Sequence, residues 1–334
     1  MGRARPVCQT TWAGEVRGGG WARAFRGMLR ANASRFAKSR DRTLINLARL
    51  LILVVLSAAT GTVEAAPREG KGAAATSAWT ALLPGLELGE FAAPQKSPAG
   101  DSTLRVLRID PAHFRFRLLN ASQAGQGNRL STREWAKRNH LVAAINASMY
   151  QRDFLTSVSL MQTGEHVNSS WFSKDKTILA FDPVDDSLPA VRIIDRDCED
   201  FADLRKKYRT LIQSIRMVSC RGENVWVKKK KIWSAAAIGI DGQGRVLFIH
   251  SRSPYSMHDL INILLGLPLD LKRAMYVEGG ADAQMYINTG REEYEFIGSY
   301  SSGSYESDGN LFAWPVPNVV GILPIAPAEG VGDE

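Results

Sequence analysis

Residues 274–280 read Ala274-Met275-Tyr276-Val277-Glu278-Gly279-Gly280, a short apolar run that stops on a carboxylate and two glycines. Such a run, with no polar break, suits a strand buried on both faces. A carboxylate at the end of that strand has apolar neighbours, which favour its protonated form and push its pKa toward the range where acids and bases work. Two glycines behind it allow the backbone to approach a ligand closely and to present its N–H groups. A tight turn capped by an acid is the plainer alternative, and these seven residues leave both open.

The same logic extends outward. Leu141-Val142-Ala143-Ala144-Ile145 is a second continuous apolar run, ending on Asn146. Phe114, Phe116 and Leu118 alternate with Arg115 and Arg117, the period of a half-buried strand. Asp241-Gly242-Gln243-Gly244 separates Ala235–Ile240 from Val246–Ile249 and predicts a hairpin. Further strands are expected at 157–161, 177–181, 191–194 and 211–218. A hairpin is expected between Trp226 and Trp233, with Lys228 to Lys231 at its solvated tip. Ser131-Thr132-Arg133-Glu134 and Ser256-Met257-His258-Asp259 have the capping-box spacing and open two helices, the second ended by Pro268. The charged segment 199–208 reads as a third. The pattern predicts an α+β fold over 101–320: a single domain with a mixed central β-sheet flanked by a few helices. Residues 66–100, rich in Ala, Gly, Pro and Ser, read as a linker, and 321–334 as a tail.

Charge narrows the function. The chain carries 42 Lys+Arg against 34 Asp+Glu, a net +8, but 11 of the basic residues and only Glu15, Asp41 and Glu64 fall within 1–65. The remainder balances, with 31 of each sign, so nucleic acid is not the expected partner. Arg35, Lys38, Arg40 and Arg42 precede the apolar stretch Leu44 to Ala59, and Val63-Glu64-Ala65 follows. That order predicts a signal peptide over 1–65 and export to the periplasm or medium. An uncleaved leader would be the one route to a membrane, and translation could begin at Met1 or Met28. After cleavage two cysteines remain, Cys198 and Cys220, either a disulfide or two buried thiols.

HExxH, CxxC, GxxxxGK[ST] and GxSxG are all missing, so the sequence supports neither a metal nor a cofactor. Four motifs in order over roughly 100–314 instead make the chain similar to the phosphodiester glycosidase family, whose members include the enzyme that uncovers mannose 6-phosphate by removing N-acetylglucosamine. Residues 274–280 resemble its apolar strand followed by Asp-Gly-Gly-Gly-Ser. Ala143 to Tyr150 resembles its strand ending in Asn-Gly-Gly-Phe-Phe, and Leu247 to Arg252 its strand running into Asp-Gly-Arg. The helix at 256–266 falls where the family has one. Leu211–Arg216 and Trp233–Asp241 match an uncharacterised, often bacterial subfamily. Glu278 replaces the family's aspartate, Ala281 a glycine and Asp282 its serine. His250-Ser251 and Ala147-Ser148 replace Asp-Gly and Gly-Gly.

The resemblance implies a hydrolase acting at an anomeric carbon that bears a phosphodiester. The expected substrate is a phosphorylated glycan of the envelope or an exopolysaccharide. A phosphate leaves readily, its second pKa being about 6, so one carboxylate and a nearby cation suffice. Glu278 would be base or nucleophile. Asn146 would bond a sugar hydroxyl or position water, and Arg252 would grip the phosphate. The N–H groups of Gly279 and Gly280 would help hold substrate. Asp282 would be a second acid or a turn residue, and Gln213 and Arg216 would line the cleft or face solvent. A non-catalytic glycan-binding module of the cell envelope is the alternative.

Overall fold

The computed structural model describes residues 78–325. The signal peptide expected over 1–65, the two start positions and the end of the tail lie outside the described residues.

Within them the chain is predominantly strand, arranged in three sheets. The first sheet holds β1 (Trp79–Leu83), β2 (Leu86–Ala92), β3 (Thr103–Ile109), β11 (Arg216–Val218), β12 (Trp233–Asp241), β13 (Val246–Tyr255) and β14 (Leu271–Gly279), in the order β1-β2-β3-β13-β12-β14-β11. The second contains β4 (Phe114–Asn120), β5 (Ala143–Asn146), β15 (Gln284–Asn288), β16 (Glu293–Ile297) and β17 (Asn318–Pro324), ordered β16-β15-β5-β17-β4. The third is built from β6 (Met161–Thr163), β7 (His166–Ser169), β8 (Thr177–Pro183), β9 (Val191–Asp195) and β10 (Tyr208–Ser214), ordered β7-β6-β10-β8-β9.

The inner faces of all three meet in one core. Leu107, Ile109 and Phe248 from the first sheet pack with Phe116, Ile145 and Met285 from the second and Leu179, Phe181 and Ile212 from the third. One helix covers the outer face of each sheet. Trp135 of α1 (Thr132–Arg138) packs on Leu119, Ala144 and Tyr286, Phe201 of α2 (Phe201–Leu204) on Ile178 and Leu211, and Leu260 and Leu264 of α3 (Met257–Gly266) on Val106 and Leu247. Both capping serines act as expected: Ser131 accepts from Glu134 N and Ser256 from Asp259 N.

Several expectations need correction. The α+β reading holds in its coarse form, mostly strand with three short helices, but there is no mixed central sheet: every strand pairing among the described residues is antiparallel. Parallel neighbours need covering crossover connections, and helices of 7, 4 and 10 residues supply few. Residues 79–92, inside the segment read as a linker, form β1 and β2. Their loop-like composition has a packing origin, because a Cβ on Gly89 would come within 2.8 Å of the Trp79 ring. Gly85, at φ +72°, turns the hairpin. The tail boundary at 321 cuts through β17. Of 199–208 only Phe201–Leu204 is helical, and of 157–161 only Met161 lies in a strand. Residues 225–232 form no hairpin, because Trp226 turns inward, its Nε1 donating to Arg216 O at 2.7 Å.

Candidate active site

The run 274–280 forms the passage from the first sheet to the second. β14 pairs with β12, placing Glu278 opposite Ala236 and Gly279 opposite Ala235. The chain then makes a single 3₁₀ turn, Gly280–Asp282, and enters β15. Both glycines are required. A Cβ on Gly279 would lie 2.1 Å from the Tyr276 hydroxyl and 2.5 Å from Trp233, and Gly280 has φ +66°.

This turn sets two carboxyl groups close enough to influence each other's protonation. Burial drives the Glu278 carboxyl well above the usual carboxylate range, the negative charge of Asp282 adds to the effect, and the N–H of Gly279, 3.0 Å from Oε1, partly opposes it. Burial also raises Asp282, while a hydrogen bond from the Tyr150 hydroxyl and the charge of Arg129 pull it back. Its Oδ1 is buried with no hydrogen-bond partner. Two carboxyls in such surroundings share protons, so the pair as a whole titrates higher than isolated acids. The Tyr150 and Tyr276 hydroxyls are themselves pushed up, first by burial and then by these carboxylates. Both phenols therefore stay neutral and can donate.

The other expected residues divide sharply. Asn146 reaches the turn but holds its backbone: Nδ2 donates to Asp282 O at 2.9 Å and Oδ1 accepts from Gln284 N at 2.7 Å. Arg252 anchors a loop. Its Nη1 donates to Ile297 O, its Nη2 to Asp308 O and Asn310 O, and its Nε pairs with the Asp308 carboxylate at 2.9 Å. Gln213 is fully buried and binds Ser173 and Asp175 backbone groups. Arg216 pairs with Asp195 and Asp197. His250, stacked on Phe296, is held down to a pKa of about 3 by burial and brings no positive charge.

Two residues at the site were not anticipated. Tyr150 lay inside the quoted run 143–150 and occupies its aromatic end, which was the available signal. Arg129 lies 17 positions before Asn146, in a segment with no motif, so nothing marked it. Asp195, Cys198 and Cys220 are close enough together to hold a metal ion, yet the two sulfurs pair with each other as a disulfide, Cα to Cα 6.5 Å. Two surface hollows, one lined by Leu82, Arg108 and His113 and one by His140, Tyr286 and Asn288, contain neither carboxylate.

Glu278 and Asp282, both half-buried, stand where the chain passes from the first sheet to the second, two carboxyl groups raised together. The sequence matches the profile described as Phosphodiester glycosidase over residues 139–323, and the chain belongs to that family, which is one of hydrolases. No curated protein matches it. Among solved structures it is similar to the catalytic domain of zebrafish N-acetylglucosamine-1-phosphodiester alpha-N-acetylglucosaminidase, auto-inhibited by its pro-peptide, at 13% identity and a TM-score of 0.52, covering 72% of this chain and 84% of that one. A hypothetical protein from Synechocystis is similar at 12% identity and a TM-score of 0.49, covering 72% and 62%.

Proposed function

We propose that this chain is an exported hydrolase that cleaves a sugar-1-phosphodiester in an envelope or exopolysaccharide glycan. The observation that carries this reading is the pair of neighbouring carboxyls, Glu278 at the end of β14 and Asp282 on the turn Gly280–Asp282. Glu278, the more strongly raised of the two, serves as the acid. Asp282, drawn down by Tyr150 and Arg129, is the carboxylate that activates water or attacks. This exchanges the roles the family resemblance implied. The new C1–O bond forms as the C1–OP bond breaks, with the bonding electrons leaving on the phosphate oxygen. The proton taken from water replaces the one that Glu278 delivers to that oxygen, and the products are the free sugar and a phosphate monoester. Asn146 fixes the turn that carries Asp282 and follows Glu278. The Cys198–Cys220 disulfide supports export, since such bonds persist in oxidising compartments.

The test is incubation of the purified chain with a p-nitrophenyl phosphodiester of an N-acetylhexosamine, and with teichoic-type and exopolysaccharide polymers, in ¹⁸O-labelled water. Release of labelled sugar, abolished by Glu278→Gln, is the expected result. Label in the phosphate would mean P–O cleavage instead. Binding without turnover on all of these substrates would identify a glycan-binding module.

A further inference from the structure

We propose that Arg129, laid over the Phe154 ring beside Asp282, is the cation that grips the substrate's phosphate. The assignment rests on the sugar-phosphodiester reading above and identifies the group that binds the anion at that site.

Five other arginines are already engaged. Arg252 donates from Nη1 and Nη2 to carbonyls of the 297–310 loop and is paired with the Asp308 carboxylate. Arg216 is held by Asp195 and Asp197, and Arg273 by Glu199. Arg105 is paired with Glu90 and Asp101, and Arg133 with Glu293 and Glu295. An anion entering any of these would have to displace a carboxylate. Arg129 makes no ion pair with a carboxylate among the described residues, and its one hydrogen bond is a long one, Nη1 to Pro315 O at 3.4 Å. It is half-buried, so its charge is screened less than that of a fully exposed arginine.

Leu130 and Val316 exchange backbone hydrogen bonds in both directions, at 3.3 and 2.9 Å, and Ser131 then caps α1, so the backbone on the C-terminal side of Arg129 is fixed. Its guanidinium carbon lies 4.7 Å from the centre of the Phe154 ring. A guanidinium stacked on an aromatic face keeps its N–H edge free for in-plane, bidentate contact with two oxygens. Phe154 in turn is held for this purpose. Its ring is 48% exposed, 5.9 Å from that of Tyr150, and its backbone has φ +57°, a conformation costly for a bulky L-residue. The hydrogen bond from Phe154 N to Gln151 O, and those from Leu155 N and Thr156 N to Asp153 Oδ1, hold the loop in that state. An exposed aromatic residue kept in strain against an arginine has no role in the core.

Tyr150 joins the two halves, its ring beside Phe154 and its hydroxyl bonded to Asp282. The charge of Arg129 reaches both Tyr150 and Asp282. A diester bound by Arg129 would thus place its bridging oxygen near the carboxyl pair. As C1–O breaks, negative charge builds on the leaving phosphate oxygen until the proton from Glu278 arrives, so an arginine there stabilises the transition state more than bound substrate.

The experiment titrates the purified full chain with inorganic phosphate at constant ionic strength, following binding by ³¹P NMR line width, and measures turnover in parallel. Wild-type protein is expected to bind phosphate, Arg129→Gln to weaken it roughly tenfold or more, and Arg129→Lys to recover part of it. Phe154→Ala should weaken it by a few-fold. Arg252→Gln should bind normally below its melting temperature. On a phosphodiester substrate Arg129→Gln should lower kcat/KM and also kcat. Wild-type protein that binds no phosphate, Arg129→Gln binding it unchanged, or folded Arg252→Gln losing it would each overturn the assignment. Phosphate binding that depends on Arg129 in a wild-type chain with no turnover would sustain the anion site and sink the hydrolase reading. Turnover indifferent to Arg129 would do the reverse.

Discussion

The side-chain amide of Asn146 is bonded to the backbone of Asp282, Nδ2 to O at 2.9 Å, while its Oδ1 accepts from Gln284 N at 2.7 Å. One side chain at the end of β5 therefore clamps both ends of the peptide segment that follows the acid turn. A donor and an acceptor are needed together, and among side chains of this length only an amide offers both. Asn146→Asp keeps the acceptor but sets a negative charge against the Asp282 carbonyl, and Asn146→Ala leaves two buried backbone groups unpaired. Each should cost about 1–3 kcal/mol. Activity should fall mainly through kcat, because the carboxyls lose their placement while the phosphate contact stays. Thermal unfolding combined with steady-state kinetics checks this; a KM effect alone would return Asn146 to direct sugar binding.

Glu278 makes the fold less stable as its function becomes possible. Its folded pKa lies above the unfolded value of about 4.5, so between those two the folded chain holds a proton that the unfolded chain has lost. Stability contributed by this group is full below 4.5 and declines as pH rises through the folded value. Glu278→Gln presents a permanently neutral isostere. The variant should melt higher than wild type at pH 7–8, converge with it near pH 4, and lose activity by roughly 10²–10⁴-fold. Equal melting curves at pH 8 would contradict the burial-driven shift.

His250 acts in the opposite direction. The ring is buried, Nε2 lies 3.3 Å from Ala283 O, Nδ1 has no partner, and burial lowers its pKa from 6.5 to about 3. Between those values the unfolded chain takes up a proton that the folded chain refuses, so stability falls as pH drops below 6.5. His250→Leu should show a shallower loss of melting temperature from pH 6.5 to 4 than wild type. Because Ala283 O follows the acid turn, wild-type activity should decline over the same interval in parallel with local loosening near 283, visible as faster amide exchange.

The sequence disclosed some strands whose burial is one-sided or total: the alternation from Phe114 to Leu118 and the unbroken run 274–277 appear as read, and three residues of the run 141–145 lie in β5, whereas the equally buried β2, β15 and β17 went unread. Apart from the hairpin of β12 and β13, marked by Asp241–Gly244, it did not disclose which strands pair. Alternation fixes which face of a strand is buried but carries no information on its neighbour, so one mixed sheet and three antiparallel sheets were equally compatible with it. The site divided the same way. Glu278 and Asn146 stood out as polar residues ending apolar runs, and Asp282 through its place in the motif the chain resembles. Arg252 looked like a phosphate ligand because nothing local shows that Ile297, Asp308 and Asn310 occupy its donors from about 50 residues away. Arg129 was invisible for the converse reason, since its partner Phe154 and its neighbour Asp282 come from separate segments.

The remaining prediction concerns the third sheet. Cys198 and Cys220 close a loop with a sequence separation of 22, and Asp195, just before it, accepts from both Arg216 and the N–H of Cys220. Asp195 is fully buried, so its charge depends on these donors staying in place. Cutting the disulfide frees the chain on both sides of that contact and restores loop entropy to the unfolded state, about 3 kcal/mol for a loop of this size. Reduction, or the pair Cys198→Ser and Cys220→Ser, should lower the melting temperature by roughly 5–10 °C. The effect should sit apart from the acid turn, leaving phosphate binding intact below the new midpoint. If reduction left the melting temperature where it was, the cysteines would be two adjacent thiols in solution, and the support they lend to an oxidising compartment would go with them.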